Sequence, residues 1–273
     1  MTILKILLFV YMAVMIVFSF TTPPPMSGSG IDDVAYITVS VFNGGPSIMP
    51  VDGSKDLNGN GILDITDLVA FKFSTGPSWA PASRIFYYHV PFAFVSFIAF
   101  AHAMVQSILY LKRKDPIADS KAAMAAGLGL MFCFAATVSG SIFAKVAWST
   151  YWNWDPRQTS ILILLVIYGA YFALRQSIAQ PERRASFSAV YSILAFVTVP
   201  FFGFIVPRVY QSLHPEDTLV AKGQLNIGGY VAFIFLSSLF CFLCTYFWLH
   251  SIGNRIQKLE QKQLEDSYDF ERA

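Results

Sequence analysis

The sequence predicts an all-α polytopic membrane protein with six transmembrane helices and a small extracytoplasmic insert. Of its 273 residues, 55% are hydrophobic and only 13% are charged, and the mean hydropathy is +0.53. Soluble domains carry roughly 25% charged residues, about twice this share. Six apolar segments are each long enough to cross a bilayer and carry few charges. Basic residues concentrate in alternate connections between these segments, as expected of a multi-pass chain.

The first apolar segment, residues 3–20, is predicted to be a transmembrane helix that forms the first region of the chain, residues 1–20. Lys5 is its only basic flank, and three prolines, Pro23 to Pro25, end it. A cleaved signal peptide is the alternative interpretation. No convincing Ala-x-Ala cleavage motif precedes the prolines, so we expect a retained anchor.

Residues 21–83 form a polar insert rich in Pro, Gly, Ser and Asp, and they contain a candidate calcium loop. Oxygen-bearing side chains fall at positions 1, 3, 5, 9 and 12 of this loop, a backbone carbonyl at position 7 completes the set, and Gly61 supplies the turn at position 6. Aspartate at position 12 makes the loop resemble a single dockerin repeat. The alternative is an acidic turn that binds no metal. The predicted ligands are Asp56, Asn58, Asn60, Ile62, Asp64 and Asp67.

The membrane domain, residues 84–250, contains five further predicted spans, and a polar, helical tail follows at residues 251–273. The positive-inside rule places the basic connections and the tail on the cytoplasmic side, so both termini are cytoplasmic and the insert faces outward. We therefore expect a protein of the bacterial cytoplasmic (inner) membrane. The predicted spans are residues 86–111, 122–147, 158–174, 187–206 and 227–249.

The most distinctive stretch is an aromatic-rich connection, residues 148–156, which we call the tryptophan loop. It holds Trp148, Tyr151, Trp152 and Trp154 and is predicted to lie at the outer membrane boundary. Tryptophan and tyrosine favour that boundary, so the loop is either an interfacial aromatic belt or a flat apolar platform for a large planar ligand.

Two histidines are predicted to lie on the same outer face as the tryptophan loop. His89 begins the second span, and His214 falls in the last outer connection. Alone, each is more typically a structural or interfacial histidine. Together, two neutral imidazoles on opposite sides are what six-coordinate haem iron requires. Arg84, Arg157 and Arg208 flank these segments and are either solvated loop charges or partners for haem propionates.

Structural roles are predicted for two further residues, Asp155 and His102. Asp155 precedes Pro156, an arrangement typical of a helix N-cap followed by proline at the first helical position. His102 is 13 residues beyond His89, deep within the bilayer, and is predicted to be hydrogen-bonded between helices in preference to binding a second haem.

The segment Trp148-Ser-Thr-Tyr-Trp-Asn-Trp-Asp-Pro-Arg-Gln-Thr-Ser160 resembles the tryptophan-rich WWD signature of cytochrome c maturation proteins. With Ser83-Arg-Ile-Phe-Tyr-Tyr-His-Val-Pro91 before it and His214-Pro215 after it, the order resembles the CcmC family of haem exporter proteins. The resemblance implies that His89 and His214 are axial ligands of non-covalently bound haem b. It also implies that Trp148, Trp152, Trp154 and Asp155 hold the haem, with Tyr151 standing where CcmC commonly has tryptophan.

In the CcmC family, haem is presented on the outer face and passed to the haem chaperone CcmE. The resemblance therefore implies CcmE, the CcmA/CcmB transporter and a CcmD-like small subunit as partners, besides membrane lipid. The loop also resembles that of CcsA proteins, so a CcsA-like subunit of a cytochrome c synthase remains an alternative. A second alternative is a membrane scaffold whose active part is the calcium insert.

Several chemistries have no signature in the sequence. No phosphate-binding loop, nucleic-acid motif or nucleophile–base pairing is evident, and Cys241-Phe-Leu-Cys244 is followed by Thr245 and not by the histidine of a covalent haem attachment site. We therefore expect a haem-delivery subunit and not an enzyme.

Overall fold

The structure, a computed structural model, describes residues 2–21, 84–213, 220–221, 224–225 and 229–272. The chain divides into two compact units, one of Met1–Phe18 with Ile85–Ala273 and one of Ser19–Arg84. Of the second unit, only residues 19–21 and 84 are among those described. The predicted calcium loop, residues 56–67, lies outside the described residues.

The described residues are almost entirely helical, and five helical segments are long and apolar enough to cross a membrane. A shorter apolar helix covers Lys5–Phe20. Two short strands, β1 (Val220–Ala221) and β2 (Gln224–Leu225), pair antiparallel with Val220 opposite Leu225. The five long apolar helices confirm the predicted class, an α-helical membrane protein. The helices are α1 (Thr2–Thr21), α2 (Phe86–Arg113), α3 (Pro116–Trp148), α4 (Pro156–Ser177), α5 (Pro181–Pro200), α6 (Val206–Val209) and α7 (Gly229–Arg272), with a π-helical turn at Phe201–Ile205 joining α5 to α6.

The helices extend beyond the apolar segments that predicted them. Helices α3, α4 and α5 each begin with proline at the first position, where its missing N–H costs no hydrogen bond. Asp115 caps α3 by accepting a hydrogen bond from the Ile117 N–H, 2.9 Å away. The tail is the continuation of α7, so its predicted helical character is confirmed. Lys121, which the predicted span 122–147 left in the connection before it, lies on helix α3 because that helix begins at Pro116.

Helix α2 is central and packs against α3, α5 and α7. Its buried residues include Ala103, which shares one buried cluster with Ala125 and Ala126 of α3, and Ala99, whose Cβ would be 3.2 Å from a Cβ placed on Gly129 of α3. Small residues allow membrane helices to approach closely, which is how helices associate where lipid removes the usual hydrophobic driving force. Many large apolar side chains point outward instead. These include Phe134, Val166, Leu194, Val197 and Phe247.

A proline inside α2 is accommodated by a neighbouring helix. Pro91 has no N–H, so it cannot donate to the carbonyl of Tyr87 one turn earlier. The hydroxyl of Ser238 on α7 donates to this carbonyl instead. In a membrane, where no water is available, such a replacement satisfies the backbone group that proline leaves unpaired in the helix.

The bundle has two chemically different ends. At the loop end lie the start of α2, the end of α3, the start of α4 and α6. The opposite end, which we call the basic end, holds the other termini of α2, α3 and α4 and the start of α5. There Arg175 and Asp119 form a bidentate ion pair, with N–O distances of 2.6 and 2.9 Å. The remaining basic residues at this end include Lys112, Arg113, Lys114, Arg183 and Arg184.

Candidate functional site

His89 lies one turn into α2, and its imidazole packs against α3. Nδ1 is 2.9 Å from the carbonyl oxygen of Ala136 and 3.1 Å from the hydroxyl of Ser139. A carbonyl oxygen can only accept, so Nδ1 carries the proton of the neutral ring. The lone pair then belongs to Nε2. This second-sphere arrangement, a backbone carbonyl fixing the tautomer, is typical of histidines that bind metals.

Gly140 makes room for the His89 ring. A Cβ atom placed on Gly140 would be 2.7 Å from Cε1 of His89 and 3.3 Å from its Nδ1. Real Cβ atoms do not approach other heavy atoms this closely, so glycine at this position permits the imidazole to lie flat against α3. The ring is about 12 Å from the end of α3 at 1.5 Å per residue, roughly two helical turns from the tryptophan loop.

The tryptophan loop folds back onto α3 beside this contact. The hydroxyl of Ser141, the residue after Gly140, donates to the carbonyl of Tyr151 at 2.9 Å. The ammonium of Lys145 donates to the carbonyl of Ser149 at 2.9 Å and lies 5.4 Å from the centre of the Tyr151 ring. One short stretch of α3 therefore holds both the histidine ring and the loop.

The aromatic side chains of the loop differ in exposure. Trp154 is 70% exposed and Tyr151 is 59% exposed, whereas Trp148 and Trp152 are half-buried. Trp154 adopts a left-handed backbone conformation with φ of 57°, which is costly for any residue other than glycine. The Trp152 and Trp154 rings are nearly perpendicular, at 88° with centroids 5.8 Å apart. The two rings therefore do not form a single flat platform.

Asp155 has the N-cap role predicted for it and a second role that the sequence did not indicate. Its Oδ1 accepts from the Arg157 N–H at 2.9 Å, which caps α4. Its Oδ2 accepts from the Leu213 N–H at 2.7 Å, and the Ser212 hydroxyl lies 2.9 Å from the same oxygen. The carboxylate is only 4% exposed. It therefore fastens the tryptophan loop to residues 212–213, which precede His214 in the sequence.

The other predicted site residues have more varied positions. Arg208 is exposed, donates to the Phe204 carbonyl at 2.8 Å and stacks on the Phe204 ring. Arg157 is half-buried in the first turn of α4, and Arg84 is a half-buried residue just before α2. His214 lies outside the described residues.

His102 is hydrogen-bonded between helices, as the sequence predicted. Its Nδ1 is 2.7 Å from the hydroxyl of Tyr246 on α7, and Gln106 contacts its Nε2 at 3.2 Å. Both ring nitrogens thus have protein partners, which is the arrangement of a structural histidine and not of a ligand poised for iron.

Four residues that hold the site together were not predicted: Ser139, Gly140, Ser141 and Ser212. The first three do have a sequence signal. A Ser-Gly-Ser run near the end of an apolar helix marks a place where a neighbouring group approaches the backbone closely. Ser212 has no such signal, because its bond to Asp155 joins residues 57 positions apart.

The fold and the site together define a multi-pass helical membrane protein with a histidine and an exposed, strained tryptophan loop at one end of the bundle. The family model of CcmC, described as "Heme exporter protein C", matches residues 69–268, a stretch that includes every part of this site. The chain belongs to this family. Its apolar helices and its family indicate a multi-pass protein of a bacterial inner membrane. The resemblance to the CcmC family that the sequence motifs indicated is confirmed.

Individual relatives agree with the family assignment. The chain is 29% identical to Heme exporter protein C of Bradyrhizobium diazoefficiens over 66% of its length and 68% of the relative. It is 29% identical to a putative cytochrome c biosynthesis ccmC-like mitochondrial protein of Marchantia polymorpha, over 69% of this chain and 76% of the relative. It is 31% identical to Heme exporter protein C of Escherichia coli K12, over 50% of this chain and 55% of the relative.

Proposed function

We propose that this protein binds haem at the loop end and delivers it for cytochrome c maturation. The observation that carries the proposal is the connection through Asp155. Residues 136–141 of α3 hold both the His89 ring and the tryptophan loop, and Asp155 fastens that loop to Ser212 and Leu213. Groups distant in sequence are thus joined around one end of the bundle.

The iron ligands in this proposal are Nε2 of His89 and the imidazole of His214. The Ala136 carbonyl fixes the His89 tautomer that presents a lone pair at Nε2, which is the form that binds iron. His214 directly follows Leu213 in the sequence, so the bond from Asp155 to Leu213 restrains the chain next to the second ligand. Bound haem b supplies an iron that accepts two axial nitrogen ligands.

The remaining contacts to haem come from the loop and from cations. The exposed rings of Trp154 and Tyr151 offer apolar faces, and the half-buried Trp148 and Trp152 belong to the same loop. The guanidinium groups of Arg84, Arg157 and Arg208 pair with the haem propionates. Neither role involves covalent chemistry, which suits a protein that holds haem and releases it.

We infer six spans, with α1 as the first, and the loop end facing outward. Basic residues concentrate at the opposite end, and the positive-inside rule assigns that end to the cytoplasm. Helix α1 packs on α7, where Lys5 lies 5.2 Å from the Trp248 ring. Both termini are then cytoplasmic, and the insert is extracytoplasmic.

The acceptor of the haem in this proposal is the chaperone CcmE, with CcmA/CcmB and a CcmD-like subunit as the assembly partners. The family name describes haem export, a transport role, and so supports delivery over enzymatic catalysis. A CcsA-like synthase subunit remains the second candidate, favoured only by Tyr151 in place of tryptophan.

Complementation distinguishes the two candidates. The chain is expressed in a strain that lacks its resident CcmC, with or without CcmE, and haem-stained c-type cytochrome is measured. We expect cytochrome c to be restored only in the presence of CcmE, with haem bound to the purified chaperone. The His89→Ala variant should restore neither. Restoration without CcmE would contradict delivery to a chaperone and support the synthase.

A further inference from the structure

A cavity of about 310 Å³ lies between α3 and α7 at the basic end, far from the tryptophan loop. Helix α3 contributes residues from its first turns, and α7 contributes residues from the part that extends beyond its apolar segment. Three of the lining residues are cationic, namely Lys121, Arg255 and Lys258, and none is acidic among those that the structure describes.

One of the lining residues is a buried histidine whose ring is held in one orientation by hydrogen bonds. His250 is 7% exposed. Its Nε2 donates to the Lys121 carbonyl at 3.3 Å, and its Nδ1 accepts from the Asn254 amide at 3.0 Å. Beside it, the Ser120 hydroxyl donates to the Gln257 side chain. These hydrogen bonds therefore fix the polar groups of four lining residues, Ser120, His250, Asn254 and Gln257.

We propose that this cavity binds the phosphate group of an anionic phospholipid. Three cations and several hydroxyl and amide groups converge on it, which suits a phosphate and its glycerol oxygens. Among the described residues that line it, Ile117 has the only aliphatic side chain and none is Phe, Tyr or Trp, so this lining offers no flat wall to a porphyrin or a nucleobase.

Its position favours a lipid as the source of the phosphate. Basic pockets at the ends of transmembrane helices bind anionic headgroups, because the charges lie at headgroup depth. Helices α3 and α7 both continue from apolar spans into this region, and Lys112, Arg113 and Arg183 add positive charge at the same end. Lys121 and Lys258 form no ion pair with any residue in the described ranges.

Native mass spectrometry of the detergent-solubilised full chain tests the site. The probes are phosphatidylglycerol, phosphatidylcholine and inorganic phosphate. We expect one phosphatidylglycerol to bind at least about tenfold more tightly than phosphatidylcholine, and the Lys121→Gln/Arg255→Gln/Lys258→Gln variant to lose this preference. The matched control, Lys112→Gln/Arg113→Gln/Arg183→Gln, removes the same charge at the same end but outside the cavity, and should keep it.

Further arms separate the possible outcomes. Displacement of the lipid by excess inorganic phosphate would support a phosphate site filled from solution, whereas resistance to phosphate supports the lipid. A Lys121→Arg/Lys258→Arg variant keeps the charges and should bind normally, which excludes loss of folding as the cause. Equal binding of both lipids, or equal weakening in the two triple variants, would overturn the proposal.

Discussion

The carboxylate of Asp155 accepts a hydrogen bond from the backbone N–H of Leu213, with Oδ2 and N 2.7 Å apart. The same side chain caps α4 through the Arg157 N–H. One buried residue thus fixes the start of a transmembrane helix and holds the segment that precedes His214. Its two roles are separable, because asparagine is also a good N-cap but carries only one accepting oxygen.

Asp155→Asn is expected to weaken haem binding by about tenfold or more with little change in melting temperature. The remaining oxygen can still cap α4, but an amide NH₂ cannot accept from the Leu213 N–H. Haem titration followed at the Soret band measures the first quantity, and thermal unfolding in detergent measures the second. Equal losses in Asp155→Asn and Asp155→Ala, with both proteins less stable, would mean that capping is the only role of Asp155.

Gly140→Ala is expected to displace the His89 imidazole. The new methyl group would be 2.7 Å from Cε1 of His89, so the ring has to move and its bond to the Ala136 carbonyl is lost. We expect roughly a tenfold or greater loss of haem affinity. The control is Gly169→Ala on α4, where nothing lies within 4 Å of the added methyl group. That change should leave haem affinity intact and, because alanine is the better helix former, raise stability by about 0.5–1 kcal/mol.

Trp154→Gly is expected to weaken haem binding without destabilising the protein. The ring is 70% exposed and its backbone has a φ of 57°, so glycine relieves strain of about 1 kcal/mol or more while removing the aromatic face. The matched control is Ser149→Gly, which relieves a similar left-handed residue with φ of 63° in the same loop. Both variants should melt at or above the temperature of the parent protein, but only Trp154→Gly should lose haem. Loss of haem in both variants would mean that added flexibility of the loop, and not the missing Trp154 ring, weakens haem binding.

Asp56→Ala tests the calcium loop independently of haem. Removing the ligand at position 1 should abolish calcium-dependent protection of the insert from proteolysis, because a carboxylate at this position is part of the coordination sphere. Haem content should stay unchanged if calcium only orders the insert. Limited proteolysis with calcium or chelator measures the protection of the insert, and the visible spectrum measures haem content. Loss of haem together with calcium-dependent protection would contradict the hypothesis that calcium only orders the insert.

The sequence predicted the features that depend on local pattern. Hydropathy identified the five helices that are long and apolar enough to cross a membrane, and Asp155-Pro156 identified a helix start, because both signals lie within a few residues of the structure that they determine. Hydropathy did not mark where the helices end. Asp115 and Pro116 begin α3 well before its apolar segment, since a helix continues past the bilayer as long as its backbone hydrogen bonds are satisfied.

The connections within the site could not be predicted, because they join distant parts of the chain. The Asp155–Ser212 bond and the His89–Ala136 bond link residues 57 and 47 positions apart, and only the packing of the helices determines which residues meet. The orientation of the loop rings was also inaccessible. The Trp152 and Trp154 rings are nearly perpendicular, and Trp154 has a left-handed backbone conformation that nothing in its residue type favours.

The central claim is that His89 and His214 bind haem at the loop end, and visible spectroscopy of the purified protein tests it most directly. Oxidised and reduced spectra are recorded for the parent protein after haem supplementation and for His89→Ala, His214→Ala and the control His102→Ala. We predict a bis-histidine spectrum in the parent and in His102→Ala, and its weakening or loss in each of the other two. A colourless parent protein, or a spectrum indifferent to both loop-end substitutions, would contradict the assignment and leave the tryptophan loop as an interfacial belt.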